Sequence, residues 1–180
     1  MKGGHRMKGI GALVLGLLLV GAAGSANAQA RGYVGIGGGV SLPMGDFGDG
    51  SKMGFLAQVN GGVNFGETMF GVRVNGTYAQ HKEKDPGTHT LKLIGVTGDV
   101  VLTPKTEGKA SPYILAGAGM VNSKVESASS TDLAWNAGAG VKFNAGSVGV
   151  FVEARFMQVR GDGSSSSMIP ITAGVRIGGN

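Results

Sequence analysis

The chain has 180 residues, including 36 glycines and no cysteine, and its formal net charge is +5. Its length is that of a single domain, and the lack of cysteine excludes a disulfide framework and a thiolate metal site. Three basic residues lie in the first ten positions, so the rest of the chain carries a net charge of about +2, which gives no electrostatic argument for nucleic-acid binding.

The first 28 residues have the three parts of a secretion signal. A basic start precedes an apolar run at residues 10–20, and Ala26-Asn27-Ala28 forms an A-x-A cleavage site. The apolar run is shorter than the ~20 residues that a membrane-spanning helix requires. We therefore expect residues 1–28 to be a cleaved signal peptide and residues 29–180 to be the folded domain. A retained N-terminal anchor is the alternative, and Met7 is an equally suitable initiator.

Eight segments of alternating apolar and polar residues follow the signal. A period of two places the two sets on opposite faces of a β-strand. The predicted strands span residues 32–40, 53–65, 68–80, 89–102, 112–123, 132–143, 148–159 and 168–177. Short turns at 66–67, 104–111 and 144–147 alternate with polar loops at 41–50, 81–88, 124–131 and 161–167. The strand lengths match those of tilted strands that cross a membrane.

The two faces of the strands differ in chemistry. In the third strand, Val72 and Val74 alternate with Arg73 and Asn75. An apolar outer face suits lipid, and a face of glycine, asparagine and charged residues suits a polar lumen. Open sheet edges cannot face lipid, so the sheet must close, and glycine within strands fits strong curvature. We predict an all-β fold, an eight-stranded antiparallel up-and-down transmembrane β-barrel.

Aromatic residues cluster toward the two ends of the predicted strands, as the two membrane interfaces favour. One girdle is predicted at the end with the short turns, and it comprises Tyr33, Phe65, Phe70, Tyr113 and Phe143. The other is predicted toward the polar loops, and it comprises Phe55, Tyr78, Trp135 and Phe156. In the fifth strand, Tyr113 and Leu115 are assigned to the outward face.

Three segments carry a resemblance. GYVGIGGG at 32–39, PYILAGAG at 112–119 and PITAGVRI at 170–177 resemble recurring segments of the small OmpA/OmpX-type outer-membrane β-barrel family. The resemblance covers nearly all of the chain after the signal. It implies export to the outer membrane of a Gram-negative-type bacterium, contact with outer-membrane lipid and lipopolysaccharide, handling by the outer-membrane assembly machinery, and a monomer. Many such barrels end on an aromatic residue, whereas this chain ends Arg176-Ile177-Gly178-Gly179-Asn180.

Six charged residues are predicted to face the lumen, namely Arg73, Asp99, Lys142, Glu153, Arg155 and Arg176. An eight-stranded barrel is just wide enough to be filled by side chains, and buried charges must be paired. The favoured interpretation is a structural network that plugs the barrel. In this interpretation Asp99 lies beside Arg73 on one side of the barrel. Glu153 is then the only acid near Lys142, Arg155 and Arg176. A gated path for small solutes is the alternative.

No catalytic, cofactor or metal site is predicted. His81 and His89 flank a charged loop without an evident third metal ligand, and we interpret both as exposed loop residues. The serines at 164–167 have no base or acid in a recognisable arrangement and are predicted to form a flexible loop. The glycine-rich stretch at 35–39 is not followed by a helix or a lysine, so it matches a phosphate-binding loop poorly.

The leading functional hypothesis is a non-enzymatic outer-membrane barrel with a structural or envelope-stabilising role. The first alternative is a channel or carrier for small or apolar solutes. The second is a lipid A-modifying barrel enzyme, for which no set of histidine, serine and acid can be assembled at the membrane rim. The third is a soluble lipocalin-like barrel, which would need bulky apolar residues where Asn60, Asn75 and Asn136 are found.

Overall fold

The computed structural model describes residues 30–65, 68–82, 90–106, 108–125, 128–161 and 164–179. The predicted signal peptide and His89 lie outside these residues, so the cleavage site stays a prediction. None of the helical structure in the described ranges is both long and apolar enough to cross a membrane.

Eight antiparallel strands form one closed barrel. They are β1 (Ala30–Met44), β2 (Gly54–Phe65), β3 (Phe70–Lys82), β4 (Thr90–Leu102), β5 (Ala110–Val125), β6 (Ala128–Ala145), β7 (Val148–Gly161) and β8 (Ser164–Gly178). Each strand pairs with its neighbour in sequence, and β1 also pairs with β8. The prediction of an all-β, eight-stranded up-and-down barrel is confirmed. We call the end with the β2–β3, β4–β5 and β6–β7 turns the turn end, and the opposite end the loop end.

The strands continue beyond their predicted bounds at the loop end. Residues 41–44 belong to β1, residues 128–131 to β6, and the serines at 164–167 to β8, where they pair with the last residues of β7. The prediction of a flexible serine loop is therefore wrong. Serine has a weak preference for strands, but pairing with an adjacent strand overrides such local preferences. After β1 the chain forms a short helix, α1 (Asp46–Gly50).

The inward and outward faces agree with the sequence-based assignment except at Tyr33 of β1 and at two residues of β5. There Tyr113 and Leu115 point inward and are almost fully buried, while Ile114 and Met120 are exposed on the outer wall. The assignment of Tyr113 and Leu115 to the outward face is thus wrong. Both faces of β5 carry apolar residues, so alternation alone does not distinguish them. Pairing with β4 and β6 determines which face is buried.

The interior has an apolar layer in its loop-end half. This layer consists of Leu56, Ala79, Leu93, Val121, Ala134, Met157, Val159 and Met168, with Phe47 of α1 and Leu91 packed against it. Polar side chains fill the middle of the barrel below this layer. The expectation of a polar lumen therefore holds only for part of the interior.

His81 helps to close the loop end of the barrel. It is fully buried at the end of β3, so the interpretation as an exposed loop residue is wrong. Its Nδ1 donates to the carbonyl oxygen of Lys52 at 3.1 Å, and its ring meets the edge of Phe47 with 5.2 Å between centroids. These contacts tie α1 to the end of β3 above the apolar layer.

Two glycines on neighbouring strands provide a test of the packing. A Cβ at Gly119 would collide with the carbonyl oxygen of Val96, whereas a Cβ at Gly98 would meet no atom within 4 Å. We expect Gly119→Ala to lower the free energy of unfolding by about 1–3 kcal/mol, because the backbones must move apart. Gly98→Ala should be neutral or stabilising by up to about 1 kcal/mol, because glycine weakens a strand. Urea unfolding in detergent micelles compares them, and equal losses would contradict the steric argument.

Candidate functional site

Four charged side chains meet in the middle of the barrel. Arg73 on β3 lies directly opposite Asp99 on β4, and Glu153 and Arg155 share the inward face of β7. All four are buried. They occupy the width of the lumen, because β3 and β7 lie on opposite sides of the closed sheet. We call this group the central ion-pair network.

Arg73 joins the two acids. Its Nε and Nη2 donate to Asp99 Oδ2 at 3.2 and 3.1 Å. Its Nη1 donates to Glu153 Oε2 at 2.7 Å, and Nη2 also approaches Glu153 Oε1 at 3.4 Å. One guanidinium thus binds a carboxylate from each side of the barrel. Such charge-assisted hydrogen bonds are shorter and stronger than those between neutral groups.

Arg155 completes the network from the second side. Its Nε donates to Glu153 Oε1, and its Nη1 lies 3.5 Å from Asp99 Oδ2. Its Nη2 donates to Gln58 Oε1 at 3.0 Å, and Gln58 in turn donates to Thr172 Oγ1 at 3.3 Å. The contacts therefore extend from β7 to β2 and β8.

Neutral donors occupy further positions on the two carboxylates. Tyr113 donates its hydroxyl proton to Glu153 Oε2 at 2.8 Å, and Asn136 Nδ2 donates to Asp99 Oδ1 at 3.0 Å. The network holds two cations and two anions, so its formal charges cancel. Since each carboxylate binds both arginines, loss of one acid would expose both cations to a single remaining anion.

Lys142 and Arg176 face the interior but lie outside the central network. The Cζ atom of Arg176 is 3.8 Å from the ring centroid of Tyr33, and no described residue forms an ion pair with Lys142 or Arg176. Glu153 binds Arg155, which belongs to its predicted cluster, but it binds Arg73 in place of Lys142 and Arg176, so the predicted grouping is only partly right. Asp99 does lie beside Arg73, but within the same network.

The aromatic residues divide between the wall and the interior. Tyr33 and Tyr113 are 7% and 6% exposed and lie inside, so their assignment to an interface girdle is wrong. The sequence pattern could not reveal this, since tyrosine suits both a membrane interface and a buried hydrogen bond. The other predicted positions lie on the outer face, fully or partly exposed, namely Phe55, Phe65, Phe70, Tyr78, Trp135, Phe143 and Phe156.

Two aromatic pairs lie on the outer face toward the loop end. The rings of Phe55 and Tyr78 have centroids 6.1 Å apart, and those of Trp135 and Phe156 are 5.4 Å apart. Trp135 Nε1 also donates to Gln158 Oε1 at 3.0 Å. An apolar ring body with a polar edge suits the boundary between lipid and water.

Gln58, Asn136 and Thr172 are neutral network partners that the pattern of charges did not predict. Each occupies an inward position in the period-two alternation of its strand, and each is buried. An inward-facing polar residue in a narrow barrel needs a hydrogen-bond partner. Their inward positions in the sequence were therefore the signal that these three residues could join the network. Among the described residues, no group of three or more histidine, aspartate or glutamate side chains could hold a metal ion.

Comparison with known families decides the class of the barrel. The family model for the outer membrane protein beta-barrel domain matches residues 12–176. The chain belongs to this family. It is an outer-membrane protein, as the sequence resemblance indicated, and the closed sheet is its transmembrane part. No curated protein matches the chain.

Solved structures show the same fold. Neisserial surface protein A is 18% identical, with a TM-score of 0.66, over 81% of this chain and 96% of that chain. A major outer membrane protein from Thermus thermophilus is 13% identical, with a TM-score of 0.59, over 83% and 99%. The Yersinia pestis attachment invasion locus protein Ail, in complex with the heparin analogue sucrose octasulfate, is 20% identical, with a TM-score of 0.56, over 83% and 99%.

Proposed function

We propose that this protein is a non-enzymatic barrel that stabilises the outer-membrane envelope and whose lumen is plugged by its own side chains. The central ion-pair network is the observation that carries this proposal. It lies across the lumen, and each of its two acids contacts both arginines. An ion could pass only if these buried pairs separated.

The energetics of the network favour a plug over a channel. Removal of one partner from a buried ion pair typically costs about 3–5 kcal/mol, because the other charge is left uncompensated. The surrounding Tyr113, Asn136 and Gln58 bind the charges further and hold the side chains in place. Transient opening of the network is therefore costly.

The apolar layer supports the same proposal. Two cavities in the loop-end half of the interior have volumes of about 20 and 70 Å³. A larger cavity, of about 640 Å³, lies at the outer wall of β5, β6 and β7, where Ile114, Val141 and Val152 face lipid. The small interior cavities do not favour a continuous path for solutes.

The surroundings of His81 also support a non-enzymatic role. A lipid A-modifying enzyme would need an available base at the membrane rim. His81 is fully buried, its Nδ1 donates to the Lys52 carbonyl oxygen, and its ring packs against Phe47.

We further propose that the signal peptide is removed on export and that the assembly machinery inserts the barrel. The protein then acts as a monomer in contact with lipid and lipopolysaccharide.

Conductance in a planar lipid bilayer tests the plug. We expect the wild-type protein to give no discrete conducting steps, while a general porin in the same bilayer gives them. Steps from the wild-type protein that change with Arg73→Gln would overturn the proposal and support the channel alternative.

The envelope role has its own test. Gene deletion should raise the detergent sensitivity of the cells, and the wild-type gene should restore resistance.

A further inference from the structure

Two cations share the turn end of the interior. Lys142 lies near the end of β6, and Arg176 lies near the end of β8, close to the β6–β7 turn. Tyr33 and Asn144 lie beside Arg176, and Gly149 lies on the strand between the two cations. We call these five residues the vestibule. In bacterial barrels of this kind the end with the short turns faces the periplasm.

Neither cation has a counter-charge among the described residues. Lys142 is 7% exposed, and it takes part in none of the ion pairs among the described residues. Arg176 has two buried atoms, Nε and Nη2, without a hydrogen-bond partner. The acids Asp99 and Glu153 bind Arg73 and Arg155 instead. Buried charges are expected to be paired, so this arrangement is incomplete.

A glycine of β7 lets Arg176 and Asn144 approach each other closely. Lys142 and Arg176 lie on the two strands that flank β7. Gly149 pairs with Asn144 on one side and with Arg176 on the other. A Cβ at Gly149 would lie 3.3 Å from both Arg176 Cγ and Asn144 Oδ1. These distances are short, so a side chain at position 149 would crowd both Arg176 and Asn144.

We propose that the vestibule binds a small oxyanion of the phosphate class. Arginine offers several N–H donors in a fixed plane and lysine offers a compact charge, a combination that suits phosphate oxygens. The anion would accept hydrogen bonds from the unpaired Arg176 atoms and the Lys142 ammonium, and would offset their positive charges. The phosphate could belong to free orthophosphate or to a lipid headgroup at the periplasmic surface.

Thermal unfolding in a phosphate-free detergent tests the site. We expect orthophosphate to raise the unfolding temperature relative to chloride at equal ionic strength, in proportion to the logarithm of its concentration above the dissociation constant. Lys142→Gln should weaken the apparent affinity for phosphate by tenfold or more. Lys105→Gln is the matched control, because it removes an exposed positive charge at the same end and should leave the phosphate effect unchanged.

Asn144→Asp provides a second test with almost no change of shape. The buried Asn144 Oδ1 has no hydrogen-bond partner and lies on the Arg176 side of the vestibule. A carboxylate there would act as an internal anion. We expect this variant to unfold at a higher temperature than wild type in chloride and to lose most of the stabilisation by phosphate.

The source of the phosphate is decided by a parallel titration with dihexanoyl phosphatidylglycerol. Stabilisation by orthophosphate alone indicates a free anion, and stronger stabilisation by the lipid indicates a headgroup. The proposal is overturned if neither stabilises the wild-type protein beyond chloride. It is also overturned if the effect persists in both Lys142→Gln and Asn144→Asp, or is lost equally in Lys105→Gln. If another group of the chain already neutralises the vestibule, neither orthophosphate nor the lipid will stabilise the wild-type protein beyond chloride.

Discussion

Glu153→Gln should lower the free energy of unfolding by about 3–5 kcal/mol. Glu153 accepts hydrogen bonds from Arg73, Arg155 and Tyr113. Glutamine has nearly the same shape but no charge, so both arginines would depend on Asp99 alone. Water that enters the lumen would reduce the loss. Urea unfolding of the purified protein in micelles, followed by the shift of the folded band on a gel, measures it.

Two other substitutions serve as controls for this experiment. Asp46→Asn removes an exposed acid from α1 and should change stability by no more than about 0.5 kcal/mol. Arg176→Gln should cost less than Glu153→Gln, because it removes a cation that has no counter-charge among the described residues. If Glu153→Gln left stability unchanged and altered ion conductance, the plugged lumen would be refuted.

Val152→Arg should destabilise the barrel by about 2–4 kcal/mol, because it places a charge on the lipid-facing wall near the middle of the membrane. Val152 is exposed on the outer face of β7 at the level of the central ion-pair network. Val148→Arg is the matched control, with the same substitution on the same face and strand. Val148 lies about 13 Å further along the strand, toward the turn end. Its cost should be only about 0–1 kcal/mol.

Unfolding in lipid vesicles of defined thickness compares the two variants. A large cost at Val152 and a small cost at Val148 would place the apolar band of the barrel in the membrane. Equal, small costs would mean that the face assigned to lipid is not in lipid. A shift of register by one residue exchanges the two faces of a strand, so that result would question the assignment throughout β7.

Two layers, one apolar and one ionic, close the interior of the barrel. A purely polar network would leave a route for water along the lumen. Here the apolar layer around Leu56, Leu93 and Met168 lies above the central ion-pair network, and Phe47 packs on it from α1. Burial of apolar side chains excludes water, and a dry boundary strengthens the ion pairs beside it. The two layers therefore support each other.

The sequence alone determined the number of strands and the face that most side chains occupy. Val74 and Arg73, or Val152 and Glu153, are adjacent residues on opposite faces, and this follows from the local geometry of any strand. Lumen charges such as Glu153 were predictable for the same reason. A narrow barrel with buried charges also implies pairing, whatever the partners are.

Only the tertiary structure decided which of those groups meet. Glu153 binds Arg73 across the lumen, and Tyr113 turns inward to the same carboxylate. These contacts depend on the tilt and stagger of eight strands around a closed sheet, which no single strand specifies. The serines at 164–167 became part of β8 because β7 provided a partner, and serine's own preference could not predict it. Period-two alternation assigns a face, but cross-barrel distance and strand pairing arise only once the sheet has closed.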